Sequence, residues 1–310
     1  MPELPQTTLP FHLDVAADAE ARARIASLDA AAERVTASVN GCPVVFRRFG
    51  EGPVLVLLHG GHGSWLHWVR NIEALSRKHT LLVADMPGYG DSGLPEGEQT
   101  LDLIVDTLAA AIDQLVGEGT RYDIAGFSFG GLVAATLATR RPAVRRVALL
   151  GPGGHGTPRR ERLGMLNWKD LPSGEERDAR LHHNLAALML HEVAAIDAMA
   201  LALHRDACVK TRYRSKNLSR RGALLPALLT LAQHKVPVML VWGEHDVTAV
   251  PSQAGPAMLP APRRPNWWWC PTPGTGCNTS RPTPPTACCR AGWPERSPAR
   301  RSSIQLSCRR

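Results

Sequence analysis

The chain has 310 residues, enough for one large α/β domain with an insertion. It holds no run of about 18 uncharged apolar residues, which excludes a membrane-spanning helix. The net charge of +8 points to nucleic acid only until it is located: nine arginines and a single acid, Glu295, follow residue 260, and the first 260 residues balance at 27 basic and 27 acidic.

Residues 1–5 lack a basic stretch ahead of an apolar core, so no signal peptide and a cytoplasmic location are expected. Cys42 and Cys208 are the only cysteines before residue 261, and the other five crowd the last 50 residues. They form no C-x-x-C pair and no Cys/His zinc spacing, so neither a metal nor a disulfide framework is expected.

Residues 11–32 are Ala-rich with interspersed charges and predict a surface helix; residues 1–33 form an N-terminal extension. Residues 35–39, Asn40-Gly41 and residues 43–47 predict a β-hairpin with an Asn-Gly turn. Residues 54–58, Val-Leu-Val-Leu-Leu, are apolar throughout, as a strand covered on both faces requires. A helix over 65–77 and a second buried strand over 80–84 follow. Residues 100–116 carry an apolar stripe at helical spacing. Next come a strand over 122–125, a helix over 131–139 and a strand over 144–150. This alternation predicts a mostly parallel central sheet with helices on both faces. Residues 153–232 read as a helical insertion, with a long helical stretch over 184–205, and 237–242 as a further strand. The core is thus divided into 34–152 and 233–258, with the insertion after the sixth strand.

Gly126-Phe127-Ser128-Phe129-Gly130 lies between a strand and a helix. A turn this tight raises the Ser hydroxyl above the sheet, leaves no room for side chains at 126 and 130, and aims a helix N-terminus at the site. Alone, the pattern is weak. Three companions accompany it: His59-Gly60-Gly61-His62-Gly63-Ser64 after one strand, Asp85-Met86-Pro87-Gly88-Tyr89-Gly90-Asp91-Ser92 after the next, and Trp242-Gly243-Glu244-His245-Asp246 after the strand at 237–242.

In this order and spacing, over about residues 35–255, the four pieces resemble the α/β-hydrolase family. The insertion resembles that family's cap. The resemblance implies Ser128 as nucleophile, Asp246 as the acid that orients a base, and the backbone N–H groups of Phe129 and Gly61 (His62 being the alternative) as oxyanion donors. His62 and Ser64 are candidates to line the site. His59 is expected to be structural, His245 to play no catalytic part, and His155, His182, His183, His191 and His204 to lie mostly at the surface. A Ser at the elbow argues against haloalkane dehalogenase and epoxide hydrolase chemistry, where that residue is Asp. The implied activity is hydrolysis of a small carboxylic ester, with hydrolysis of carbon–carbon bonds in ring-cleavage products as the alternative. No cofactor, nucleic acid or membrane partner is expected, and a homodimer is left open.

The family's chain order is Ser, acid, His, yet the last of the twelve histidines is His245. The base is missing, which makes an impaired enzyme or a catalytically dead pseudoenzyme the expectation. Residues 259–310 show no apolar periodicity and carry Trp267-Trp268-Trp269, so a disordered tail is expected in place of the last strand and helix. The genetic code offers a reason. Asn266 to Pro271 must be encoded AAY-TGG-TGG-TGG-TGY-CCN, and a shift of two bases reads Leu-Val-Val-Val followed by Pro or Ser. Further on, the shifted codons permit Gly-His-Trp. The tail is therefore expected to be read out of frame from somewhere between about residues 252 and 265.

Overall fold

The computed structural model describes residues 8–258 and the backbone of a strand at 267–270; the expectations for 271–310 and for the reading frame lie outside the described residues. Helix α1 (Val15–Ala30) starts where the Asp14 carboxylate accepts the Ala17 N–H. Strands β1 (Glu33–Val39) and β2 (Cys42–Phe49) form the hairpin, and both turn residues, Asn40 and Gly41, have positive φ (48° and 78°). Then follow β3 (Val54–Leu58), β4 (Thr80–Ala84), β5 (Tyr122–Phe127), β6 (Val144–Leu150), β7 (Val238–Gly243) and β8 (Trp267–Cys270). The sheet runs β1-β2-β4-β3-β5-β6-β7-β8. β1 and β2, and β2 and β4, pair antiparallel; all other neighbours are parallel.

Strand β8 corrects the expectation that no strand follows β7. Its backbone pairs with β7 from Leu240↔Trp267 to Gly243↔Cys270. A bare β7 edge offers unpaired N–H and C=O groups, and a run of three tryptophans suits an extended strand; four residues are too few for periodicity to register.

The period of two explains why β3 is apolar throughout, while β5 and β6 break the run only where Asp123 pairs with Arg145 and Arg146. Val56, Leu58, Leu82, Ala84, Ile124 and Leu149 face one core with helices α3 (Leu101–Val116) and α4 (Phe129–Arg140). Leu57, Leu81, Val83, Phe127 and Leu150 face the other, closed by Trp65, Leu66 and Trp68 of a 3-10 turn and by Ile72 of α2 (Ile72–Ser76). The helix expected over 65–77 is thus two short pieces. All four residues from Trp65 to Trp68 are buried, so no polar face exists for an amphipathic helix.

Between β6 and β7 lie α5 (Glu175–Leu188), a 3-10 turn (Val193–Ala195), α6 (Ala198–Lys210), α7 (Ser215–Arg220) and α8 (Leu224–Gln233). The stretch expected to be helical over 184–205 breaks between α5 and α6, where the Asp197 carboxylate caps α6 by accepting the Ala200 N–H at 2.8 Å. Helix α8, placed in the insertion by sequence, packs against α4, and Leu224, Leu228 and Leu231 join its core. Helix α1 packs against α6, where Arg205 pairs with Asp18 at 3.0 Å and Asp178 at 2.7 Å. No helix among the described residues is long and apolar enough to cross a membrane.

Candidate active site

Strand order places a switch point beside β3: the chain leaves β3 for β4 on one side, then crosses back to β5 on the other. Crevices at the carboxyl ends of such strands are where α/β sheets bind ligands. The loop after β3 and the turn after β5 meet there. Ser128 closes that turn at φ 52°, ψ −116°, a conformation costing about 1–3 kcal/mol for a residue with a side chain. The surroundings hold it. Its N–H donates to Leu150 O at 2.9 Å, and its carbonyl accepts from the N–H groups of Gly131 (3.0 Å) and Gly153 (2.8 Å). A Cβ on Gly126 would lie 2.2 Å from the Gly130 carbonyl oxygen, and one on Gly130 would lie 2.2 Å from that of His59. Both positions therefore require glycine.

The contact between Gly130 and His59 brings the 59–63 loop against the turn. A Cβ on Gly60 would lie 3.2 Å from Ser128 Cβ. The N–H groups of Gly61 and Phe129 take no part in hydrogen bonds among the described residues. His59 is fully buried with both ring nitrogens engaged: Nδ1 donates to Gly60 O (2.7 Å) and Nε2 accepts from Met86 N–H (3.0 Å). Burial lowers its pKa to about 4, which keeps it neutral.

Asp85 belongs to a structural network. Its carboxylate accepts from Arg47 (2.7 Å) and from the N–H groups of Trp65 (2.8 Å) and Asp91 (3.1 Å). It also fills the space beside Gly90, where a Cβ would lie 2.3 Å from its carboxyl carbon. Ser64 does not line the Ser128 cavity. It is buried as the cap of the 3-10 turn, where its hydroxyl accepts the Leu66 N–H at 3.4 Å. His62, at φ 53°, is also absent from the cavity wall.

Asp246 is fully buried beyond β7. Its Oδ1 accepts from Thr248 N–H and Thr248 Oγ1, both at 2.7 Å, while Oδ2 is buried with no hydrogen-bond partner among the described residues. Burial raises its pKa to about 6, against the lowering effect of the Thr248 bonds and of Arg160 and Arg159. Arg160 fixes this loop, donating from Nε to Asp246 O (2.7 Å), from its backbone N–H to Val247 O (3.0 Å) and from Nη2 to Glu244 O.

A cavity of about 140 Å³ opens over Ser128. His155, Thr157, Arg159, Ser219, Arg220 and Thr248 share its wall, so Thr248 links Ser128's cavity to Asp246. Sequence reasoning missed this wall. It also expected most of His155, His182, His183, His191 and His204 at the surface; four of the five are buried, and His191 alone of them keeps partial exposure. The Gly-rich loop at 151–156 and the insertion carry no periodicity that marks them as interior. The Nδ1 of His155 is not free to take a proton from Ser128. It is engaged by Thr157, through N–H (3.1 Å) and Oγ1 (2.7 Å). Among the described residues, no three or more His, Cys, Asp or Glu are arranged to hold a metal ion.

A model of the alpha/beta hydrolase fold family matches residues 53–258. The chain belongs to this family. Over 132 residues it is 34% identical to a 2-hydroxymuconate semialdehyde hydrolase of Pseudomonas sp., covering 41% of this chain and 46% of that one. Over 100 residues it is 36% identical to a pimeloyl-[acyl-carrier protein] methyl ester esterase of Aeromonas salmonicida, covering 32% and 37%. The matches span less than half the length of these relatives. An esterase from Rhodococcus sp. superposes with a TM-score of 0.63 over 81% of this chain and 92% of its own, at 22% identity, a likeness of fold alone.

Proposed function

We propose that the chain is a capped serine hydrolase acting on a small carboxylic ester, impaired by the lack of a triad base. One observation carries the reading: Ser128 is held in strained geometry at the switch point and lines a cavity, with Gly60 of the neighbouring loop packed on it and the N–H groups of Gly61 and Phe129 without hydrogen bonds among the described residues. Ser128 Oγ attacks the carbonyl carbon, the two N–H groups stabilise the oxyanion, and collapse expels the alcohol; water then releases the acid. Asp246 orients whichever imidazole takes the Ser proton, and its bare Oδ2 is an acceptor in want of an N–H donor. No histidine follows Asp246 in the chain. The frame reading rests on the code alone: the codons for 266–270 encode Leu-Val-Val-Val when shifted by two bases. Sequencing the gene across the codons for 245–290 tests it: a confirmed read without a His codon spanning Gly274-Thr275 in the shifted frame rejects it. A p-nitrophenyl acetate assay tests the enzyme itself. The expected result is slow hydrolysis that falls to the buffer rate in Ser128→Ala; equal rates reject the mechanism and favour a pseudoenzyme.

A second reading, carbon–carbon bond hydrolysis or ester hydrolysis on a substrate bearing a carboxylate, draws on the two guanidinium groups of the cavity wall. Arg159 and Arg220 share one acid, Glu161, which lies 3.6 Å from Arg159 Nε, an ion pair without a hydrogen bond, and 3.3 Å from Arg220 Nη2. Such a wall favours an anion. The C–C relative's printed name, a semialdehyde hydrolase, fits that chemistry.

A further inference from the structure

The loop beside Ser128 is held from behind by an imidazole outside every motif named above. His67, in the 3-10 turn, accepts the Gly60 N–H at Nδ1 (3.2 Å). A ring nitrogen that accepts an N–H carries no proton, so the one proton of neutral His67 sits on Nε2. That atom is buried without a hydrogen-bond partner among the described residues, in a side chain only 1% exposed. A phenyl ring would fill the same space without stranding a donor, so packing alone does not account for an imidazole here. The ring meets Phe127 edge-on at 5.5 Å and lies against Gly63, where a Cβ would come within 2.4 Å of Cε1. Burial, then the nearby His59 and His62, lower its pKa to about 3 and keep it a neutral acceptor.

We propose that His67 is a positioning residue for the oxyanion loop: by holding the Gly60 N–H away from the crevice it fixes the His59–Gly60 peptide, while His59 Nδ1 holds the carbonyl of the next peptide, and the two bonds together turn the Gly61 N–H toward the carbonyl attacked by Ser128. The proposal rests on the hydrolase reading of Ser128. The 3-10 turn also packs against α6, which ties loop geometry to the cap.

The test uses the full chain and p-nitrophenyl acetate, with Ser128→Ala as control and three variants of position 67. His67→Phe keeps the shape and loses the acceptor; His67→Asn puts an amide oxygen near the Nδ1 position; His67→Gln puts one near Nε2. The expected result is a fall in kcat of about ten- to a hundredfold in His67→Phe and His67→Gln with KM unchanged, and recovery in His67→Asn. Asn and Phe variants with equal kcat overturn the proposal while Ser128→Ala still abolishes turnover. If Ser128→Ala changes nothing, the hydrolase reading fails and this proposal falls with it. A measurement on the unaltered protein guards against misfolded variants: the side-chain ¹⁵N spectrum is expected to show His67 protonated at Nε2 only, with a scalar coupling to the Gly60 amide nitrogen. A proton on Nδ1 overturns the proposal.

Discussion

The two ends of the candidate site are finished to different degrees. At Ser128 the backbone strain is answered locally: its N–H and C=O are bonded, the flanking glycines leave the space it needs, and α4 begins at once. At Asp246 the backbone is as firmly held, by Arg160, but the side chain is half satisfied, with Oδ1 doubly bonded and Oδ2 bare. A buried carboxylate oxygen without a donor costs stability. The nucleophile end is self-contained. The acid end keeps one acceptor without a donor among the described residues.

Breaking the self-contained end has the largest effect. Gly126→Ala drives a Cβ into the Gly130 carbonyl oxygen at 2.2 Å, backbone against backbone. A loss of more than about 3 kcal/mol in denaturant unfolding is expected; a loss below about 1 kcal/mol would mean that the turn relaxes freely.

The acid end responds in the opposite sense. Asp246 titrates near 6 in the fold, against an ordinary 3.8. A raised value means that the folded state holds the proton more tightly. The group's stabilising contribution is therefore complete below about pH 4 and is lost as pH rises through 6, up to about 3 kcal/mol in all. Asp246→Asn, which carries no charge, is expected to raise stability by on the order of 1–3 kcal/mol at pH 8 and to leave it nearly unchanged at pH 4. A destabilised variant at pH 8 would show that Oδ2 has a donor in solution.

The cavity wall sharpens the contrast least. Arg220→Ala is expected to raise KM about tenfold for a p-nitrophenyl ester bearing a carboxylate, the loss of one charge-assisted bond, and to leave the neutral acetate ester unaffected. Equal effects on both esters would remove the anionic-substrate reading.

The same contrast separates what the sequence discloses from what it hides. Strands β3 to β7 were legible because a strand buried on both faces is dominated by apolar residues, as Leu57 and Leu58 show on opposite sides of one sheet. The turn at Ser128 was legible because Gly126 is dictated by a contact four residues away, with the Gly130 carbonyl, although Gly130 answers to the distant carbonyl of His59. The cavity wall was not. His155 and Arg159 lie in a segment whose local pattern reads as exposed, and only the return of the chain at 219–220 and 248 encloses them. His67 was hidden for a related reason: it sits in a turn buried on every side, and its one telling bond reaches back seven residues to Gly60. The last strand escaped because pairing along an open edge, not periodicity, defines it.

Imidazole added to the buffer tests the central claim most directly. If Ser128 has a nucleophile's geometry, oxyanion donors and an acid but no base, free imidazole reaching the cavity should supply the base. The initial rate of p-nitrophenyl acetate hydrolysis, corrected for imidazole's own reaction, is then expected to rise at least about tenfold in the unaltered chain and not at all in Ser128→Ala. The same imidazole dependence in both proteins would contradict the account.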